Sequence, residues 1–149
     1  MKETYKHTQI GTLIIMIYLI ALAFLGYLLF QTQPDGVALT LLLILLIVIV
    51  IFSTLTITIN QHEFIFYFSL GAFTKKISLS EIQSYRLVHN PWIFGWGIHL
   101  TPTGWLYNVS GYDALEITLT NGKRLRIGTD DPQKLITALN MVKPQTVQD

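Results

Sequence analysis

Cysteine is absent from the 149 residues, which excludes disulfide frameworks, thiolate zinc sites and thiol nucleophiles. Charge is scarce: Asp, Glu, Lys and Arg make up 13% of the chain, with a formal net charge of +1. A nucleic-acid partner needs clustered Lys and Arg and a strong positive field, and none is expected here. Two stretches hold no charged side chain at all, residues 8–33 and residues 36–61. No His-x-x-x-His or Glu-x-x-His spacing points to a metal, and no Ser stands in a nucleophile-elbow context. A cofactor is not expected either.

What the chain has in excess is apolar sequence. The hydrophobic share is 51% and the mean hydropathy +0.48, with nearly all of the excess before Phe52. Residues 10–30 form an apolar run of about 20 residues, enough at about 1.5 Å each to cross a hydrocarbon core of about 30 Å. Lys2, Lys6 and the Ala21-Leu22-Ala23 triplet imitate a cleavable signal peptide, but the chain stays apolar through Phe30. Pro34-Asp35-Gly36 is a turn signal, and a second apolar run follows over residues 36–52. A loop this short returns the second helix antiparallel to the first. Basic residues flank the pair at Lys2, Lys6, Lys75 and Lys76 and are missing from the loop. A multi-pass protein of the inner cell membrane with both termini cytoplasmic is the expectation. Neither an intramembrane charge nor a Gly-x-x-x-Gly pair suggests transport or helix dimerisation.

The second run passes without a polar linker into Thr54-Leu55-Thr56-Ile57-Thr58-Ile59, whose alternation predicts a strand. So little slack predicts a rigid junction, which about ten Gly/Ser residues inserted after Phe52 should uncouple. Phe64, Phe66 and Phe68 share one face of a second strand, and apolar matching requires Ile59 opposite Phe64 across a four-residue loop. Strands follow over residues 75–79 and 82–89. Residues 91–111 hold all three tryptophans, and their Gly and Pro content excludes a helix in favour of short strands near residues 98–100 and 105–109. Leu115, Ile117 and Leu119 form a hairpin with Leu125 and Ile127 through a three-residue loop, Thr120-Asn121-Gly122. That register sets Glu116 opposite Arg126 on the outside. Asp131 and Pro132 start a last helix with an apolar stripe of Leu135, Ile136, Leu139 and Val142, and residues 144–149 are expected to fray.

About seven short antiparallel strands closed by one amphipathic helix follow the order of a pleckstrin-homology-like (PH-like) barrel or sandwich. The chain resembles bacterial PH-like domain proteins that carry a two-helix membrane anchor. The resemblance lies in the aromatic second strand before Gly71, in Lys75-Lys76-Ile77-Ser78-Leu79-Ser80-Glu81-Ile82-Gln83-Ser84, and in three further segments. These are Gly95-Trp96-Gly97-Ile98, Gly104-Trp105-Leu106-Tyr107-Asn108-Val109-Ser110-Gly111 and Arg126-Ile127-Gly128-Thr129-Asp130-Asp131-Pro132. It implies an α+β chain with an anchor over residues 1–52 and a cytoplasmic PH-like domain over residues 53–143, without enzymatic activity. Eukaryotic relatives bind phosphoinositides through a basic first strand-to-strand loop. Here residues 60–63, read as that loop, hold no Lys or Arg.

The function expected is a non-catalytic, membrane-tethered interaction module that binds a protein partner or associates with itself as a homo-oligomer. Trp92, Phe94, Trp96, Trp105 and Tyr107 are the candidate interface, with barrel core, lipid interface and peptide groove as competing roles for the rings. The alternative is recognition of membrane lipid through anionic headgroups by Lys75, Lys76, Lys123, Arg124 and Arg126, against which solvated strand faces explain the same residues. A small membrane-bound enzyme is the third reading. Its available acids and bases are His62, His89, His99, Asp113, Glu116, Asp130 and Asp131, although capping the last helix already explains the two final carboxylates.

Overall fold

The first strand lies where the sequence carries no strand signal. In the computed structural model, which describes residues 3–32 and 35–143, Tyr5–Ile10 (β1) pairs antiparallel with Thr54–Ile59 (β2). Between them run the helices Thr12–Gln31 (α1) and Gly36–Phe52 (α2). The helical hairpin is therefore an insertion between two hydrogen-bonded neighbouring strands. Gly11 alone separates β1 from α1 and Ser53 alone separates α2 from β2, and the Gly11 amide donates to the Ser53 carbonyl at 2.8 Å. The stretch before α1, expected to belong with the anchor, thus gives a strand to the sheet. The less exposed side chains of β1 are Tyr5, His7 and Gln9. All three are polar, so apolar alternation cannot reveal the strand.

Neither α1 nor α2 buries a residue in the protein, although the two lie against each other. By length and composition α1 can cross a membrane, while α2 is shorter at 17 residues. Asp35 caps α2, its carboxylate accepting from the Ala38 amide at 2.8 Å, as an N-cap carboxylate does. Of the predicted turn, Pro34 lies outside the described residues, as does the tail 144–149.

Glu63–Phe68 (β3) and Thr74–Ser78 (β4) complete a four-stranded sheet in the order β1-β2-β3-β4. Ile59 stands opposite Phe64, and the Asn60 side chain holds the loop by accepting from the His62 and Glu63 amides, each at 2.8 Å. A second sheet comprises Ile82–His89 (β5), Gly97–Thr101 (β6), Gly104–Asn108 (β7), Asp113–Leu119 (β8) and Arg124–Gly128 (β9). Its order is β5-β8-β9-β7-β6, with β7 and β9 parallel and the other pairs antiparallel. Among the described residues there are nine strands where about seven were expected; eight fall on segments that the sequence reading placed, and β1 was not foreseen.

The chain is α+β with a four- and a five-stranded sheet, and among the described residues no strand pairing closes them into a barrel. One apolar core draws Leu55, Phe64 and Phe66 from the first sheet, Leu115 and Ile127 from the second, and Leu135 and Leu139 from Pro132–Val142 (α3). Asp131 occupies the N-cap position of α3 but its side chain makes no cap bond, reaching Lys134 at 3.1 Å instead. In the β8–β9 hairpin the Leu119 amide donates to the Lys123 carbonyl at 2.9 Å and Gly122 has φ of +79°. This is the three-residue loop that apolar matching demands, and Gly tolerates the left-handed conformation.

Candidate functional site

The strand registers sort the connections between two ends of the domain. The helical end is where Ile10 meets Thr54 and the chain enters and leaves α1 and α2. Three loops gather there, and beside them starts the β9–α3 connection, residues 129–131, whose Thr129 amide donates to the Asp113 carbonyl at 2.9 Å and which carries Asp130 and Asp131. Residues 69–73 follow Phe68, with the Ser69 amide donating to the Thr54 carbonyl at 3.0 Å and the Phe73 ring stacked on Phe52 at 6.0 Å. Residues 109–112 follow β7, and Gln9 donates to the Ser110 carbonyl at 2.7 Å. Residues 90–96 join them through the Asn90 amide, which donates to the Tyr112 carbonyl at 2.7 Å, and through Trp96, whose ring lies 6.4 Å from that of Tyr112. None of the three loops contains a charged residue. At the far end, residues 60–63, 79–81 and 120–123 carry His62, Glu63, Glu81 and Lys123.

Loop 90–96 links β5 to β6, the opposite edges of the five-stranded sheet. On the outer face of that sheet, away from the core, its first residue, Asn90, meets an ion-pair group that the sequence reading placed in solvent. Glu116 is 3% exposed and Arg126 8%. Arg126 Nε donates to Glu116 Oε2 at 2.7 Å, Arg86 Nε donates to Oε1 at 2.8 Å, and Arg126 Nη1 donates to Asn90 Oδ1 at 3.0 Å. The pairing of Glu116 with Arg126 is as the register required, but its outside position is corrected to a buried one, the Arg86 and Arg126 side chains lying on the carboxylate and Asn90 on Arg126. Burial pushes the Glu116 carboxyl up, while the hydrogen bonds and charges of Arg126 and Arg86 outweigh that and hold it below the usual carboxylate range.

The five aromatic candidates occupy three places. Trp92 (78% exposed) stands on a single 3₁₀ turn, Trp92–Phe94, with Ile93 (73% exposed) beside it. Phe94 and Trp96 are half-buried, and the Trp96 indole nitrogen is buried without a partner among the described residues. Trp105 pairs across strands with Leu100 next to the β6–β7 turn, towards the far end. Tyr107 turns inward onto Phe66, ring to ring at 4.8 Å, with the Lys75 ammonium 5.5 Å from its ring centre.

The basic candidates are equally scattered. Lys75 and Lys76 stand on β4, Lys123 and Arg124 at the far-end turn of β8 and β9, and Arg126 is spent on Glu116. Of the acids and bases, His89 pairs with Asp113 at 2.9 Å and Asp130 with His7 at 2.5 Å, whereas His62 lies in the far-end loop and the His99 Nε2 is buried without a partner among the described residues. No three His, Asp or Glu side chains among the described residues form a group able to hold a metal. Sequence reasoning missed the inward row of β1. Tyr5, whose hydroxyl burial and then Asp131 and Asp130 push upward in pKa, faces the start of α3 with His7. No family model, curated protein or solved structure matches the chain.

Proposed function

We propose that the chain is a membrane-anchored, non-catalytic interaction module of PH-like architecture, which binds a protein partner or associates with itself at the cytoplasmic face. The observation that carries this reading is the insertion of two apolar helices, neither with a buried residue, between two paired strands of one sheet. Helices that bury nothing in their own protein need another apolar surrounding, and lipid supplies it. Entry and exit through adjacent strands keep both ends of the hairpin on one side of the bilayer.

The PH-like reading is supported by the two sheets, read as a sandwich, and by the C-terminal α3, which lies against β5 and β8 and shares one core with both sheets. On that reading β1 to β4, then β5, β8 and β9, are the seven strands of the sandwich, and β6–β7 is an added hairpin at an edge. The first strand-to-strand connection is then the helical hairpin itself, not residues 60–63. Covalent anchorage stands where eukaryotic relatives place the lipid-binding loop. The dispersal of Lys75, Lys76, Lys123, Arg124 and Arg126 puts headgroup recognition second, and the pairing or separation of the acids and bases puts an enzyme third.

The absence of native cysteine makes topology directly measurable. With a membrane-impermeant maleimide, a single Asp35→Cys chain is expected to react in intact cells and a single Asn121→Cys chain only after the cells are opened. Amine cross-linking in the same membranes is expected to give a discrete dimer or heteromer. Labelling of both positions from one side overturns the anchor, and a chain that stays monomeric and uncross-linked overturns the interaction module.

A further inference from the structure

We propose that the helical end of the domain is itself a lipid-contacting surface, which seats Leu70, Phe73, Trp92 and Ile93 in the boundary between headgroups and acyl chains of the bilayer that the hairpin crosses. This rests on the membrane-anchored reading and adds to it a docked orientation of the whole domain. Leu70 is 93% exposed and Phe73 about half exposed in loop 69–73, while Trp92 and Ile93 project from loop 90–96 on the other sheet. Large apolar side chains left exposed to this degree and grouped on one end mark an interaction surface. Both helices leave from that same end, so the surface is already held at the bilayer.

Charge and length argue for lipid as the occupant. The three loops at this end carry no charge, and Trp is the side chain most favoured at membrane interfaces. The nearest ionisable groups are tied to one another, as in His89 with Asp113, or turned back along the domain, as in Asp130 with His7 at the middle of β1. Helix α2 has 17 residues, about 26 Å at the usual rise, against a hydrocarbon core of about 30 Å. A short span draws its flanking residues into the bilayer. Phe52, the last residue of α2, is stacked on Phe73, so loop 69–73 is the flank that continues the apolar surface of the helix.

Depth-dependent quenching tests this on the full chain reconstituted in vesicles. One variant, Trp96→Phe with Trp105→Phe, retains Trp92; a second, Trp92→Phe with Trp96→Phe, retains Trp105. With phosphatidylcholine brominated near the top of its acyl chains, Trp92 emission is expected to be blue-shifted and lost, while Trp105 emission persists. Equal emission from the two while the chain resists carbonate extraction overturns the docked orientation and leaves the anchor standing. Extraction by carbonate overturns the anchor and the docking together. Should loss of Trp96 unfold the domain, an Ile93→Cys chain with all tryptophans kept, carrying an environment-sensitive dye, replaces the first variant. Its emission is expected to match that of a lipid-embedded dye, and a water-like spectrum equal to that of an Asn121→Cys control overturns the proposal.

Discussion

Glu116 sits at the centre of the outer face of the five-stranded sheet with a guanidinium on each oxygen. Replacing it by Ala leaves Arg126 buried with, among the described residues, the Asn90 side-chain oxygen as its remaining side-chain partner, and breaking a buried pair this way costs about 3 kcal/mol. Chemical denaturation of Glu116→Ala is expected to show that loss, whereas removing the largely exposed Arg86 costs less because Arg126 still answers the carboxylate. The pH dependence follows from the depressed pKa. The contribution of Glu116 is complete above its unfolded value, about 4.3. It is lost as pH falls through the lower folded value, because the unfolded chain binds the proton first. Glu116→Gln is expected to flatten this acid limb of the stability curve, and an unchanged limb would refute the assignment. Gly11 is constrained by closeness. A Cβ there would lie 2.9 Å from the Val109 carbonyl oxygen and 2.7 Å from Ile14 Cγ2. The methyl can yield but the backbone oxygen cannot, so Gly11→Ala is expected to cost about 1–3 kcal/mol by thermal unfolding, the range of an overpacked core.

At the scale of elements, strands with an apolar inner face were legible and the strand with a polar one was not. Leu115, Ile117, Leu125 and Ile127 fixed the β8–β9 register because slipping it by one residue would set core against charge, and the structure has that register. The same matching placed Ile59 against Phe64. β1 escaped because it docks by polar contacts, Gln9 to the Ser110 carbonyl and His7 to Asp130. The burial of Glu116 escaped because the Arg86 and Asn90 that close on the pair come from β5 and the residue after it, whose place beside β8 was not readable. The aromatic candidates were recognised by type, but their separation between loop 90–96, the β6–β7 turn and the core follows from a strand order, with β7 parallel to β9, that was not readable. β1 also shields one side of β2, an otherwise open edge. Deleting residues 1–10 is expected to leave the β2 backbone unpaired on that side. Faster amide exchange along residues 54–59 and the appearance of higher oligomers are the expected readouts. Unaltered exchange would show that β1 contributes nothing to the sheet.

For the whole molecule, the inserted hairpin changes what a rigid junction means. A single junction after Phe52 would let about ten Gly/Ser residues release the domain from its anchor. With β1 running into α1 through Gly11 and α2 into β2 through Ser53, that insertion leaves the other connection intact. The domain remains held by β1, itself paired along its whole length to β2. Two insertions, one after Gly11 and one after Phe52, are needed before the domain can swing. In the proposed docked orientation, quenching of Trp92 by brominated lipid is expected to survive either insertion alone and to fall when both are present, while circular dichroism and thermal unfolding show the sheets still formed. Loss of quenching with the single insertion after Phe52 would mean that β1 does not transmit the position of α1. The domain would then hang from one connection instead of two.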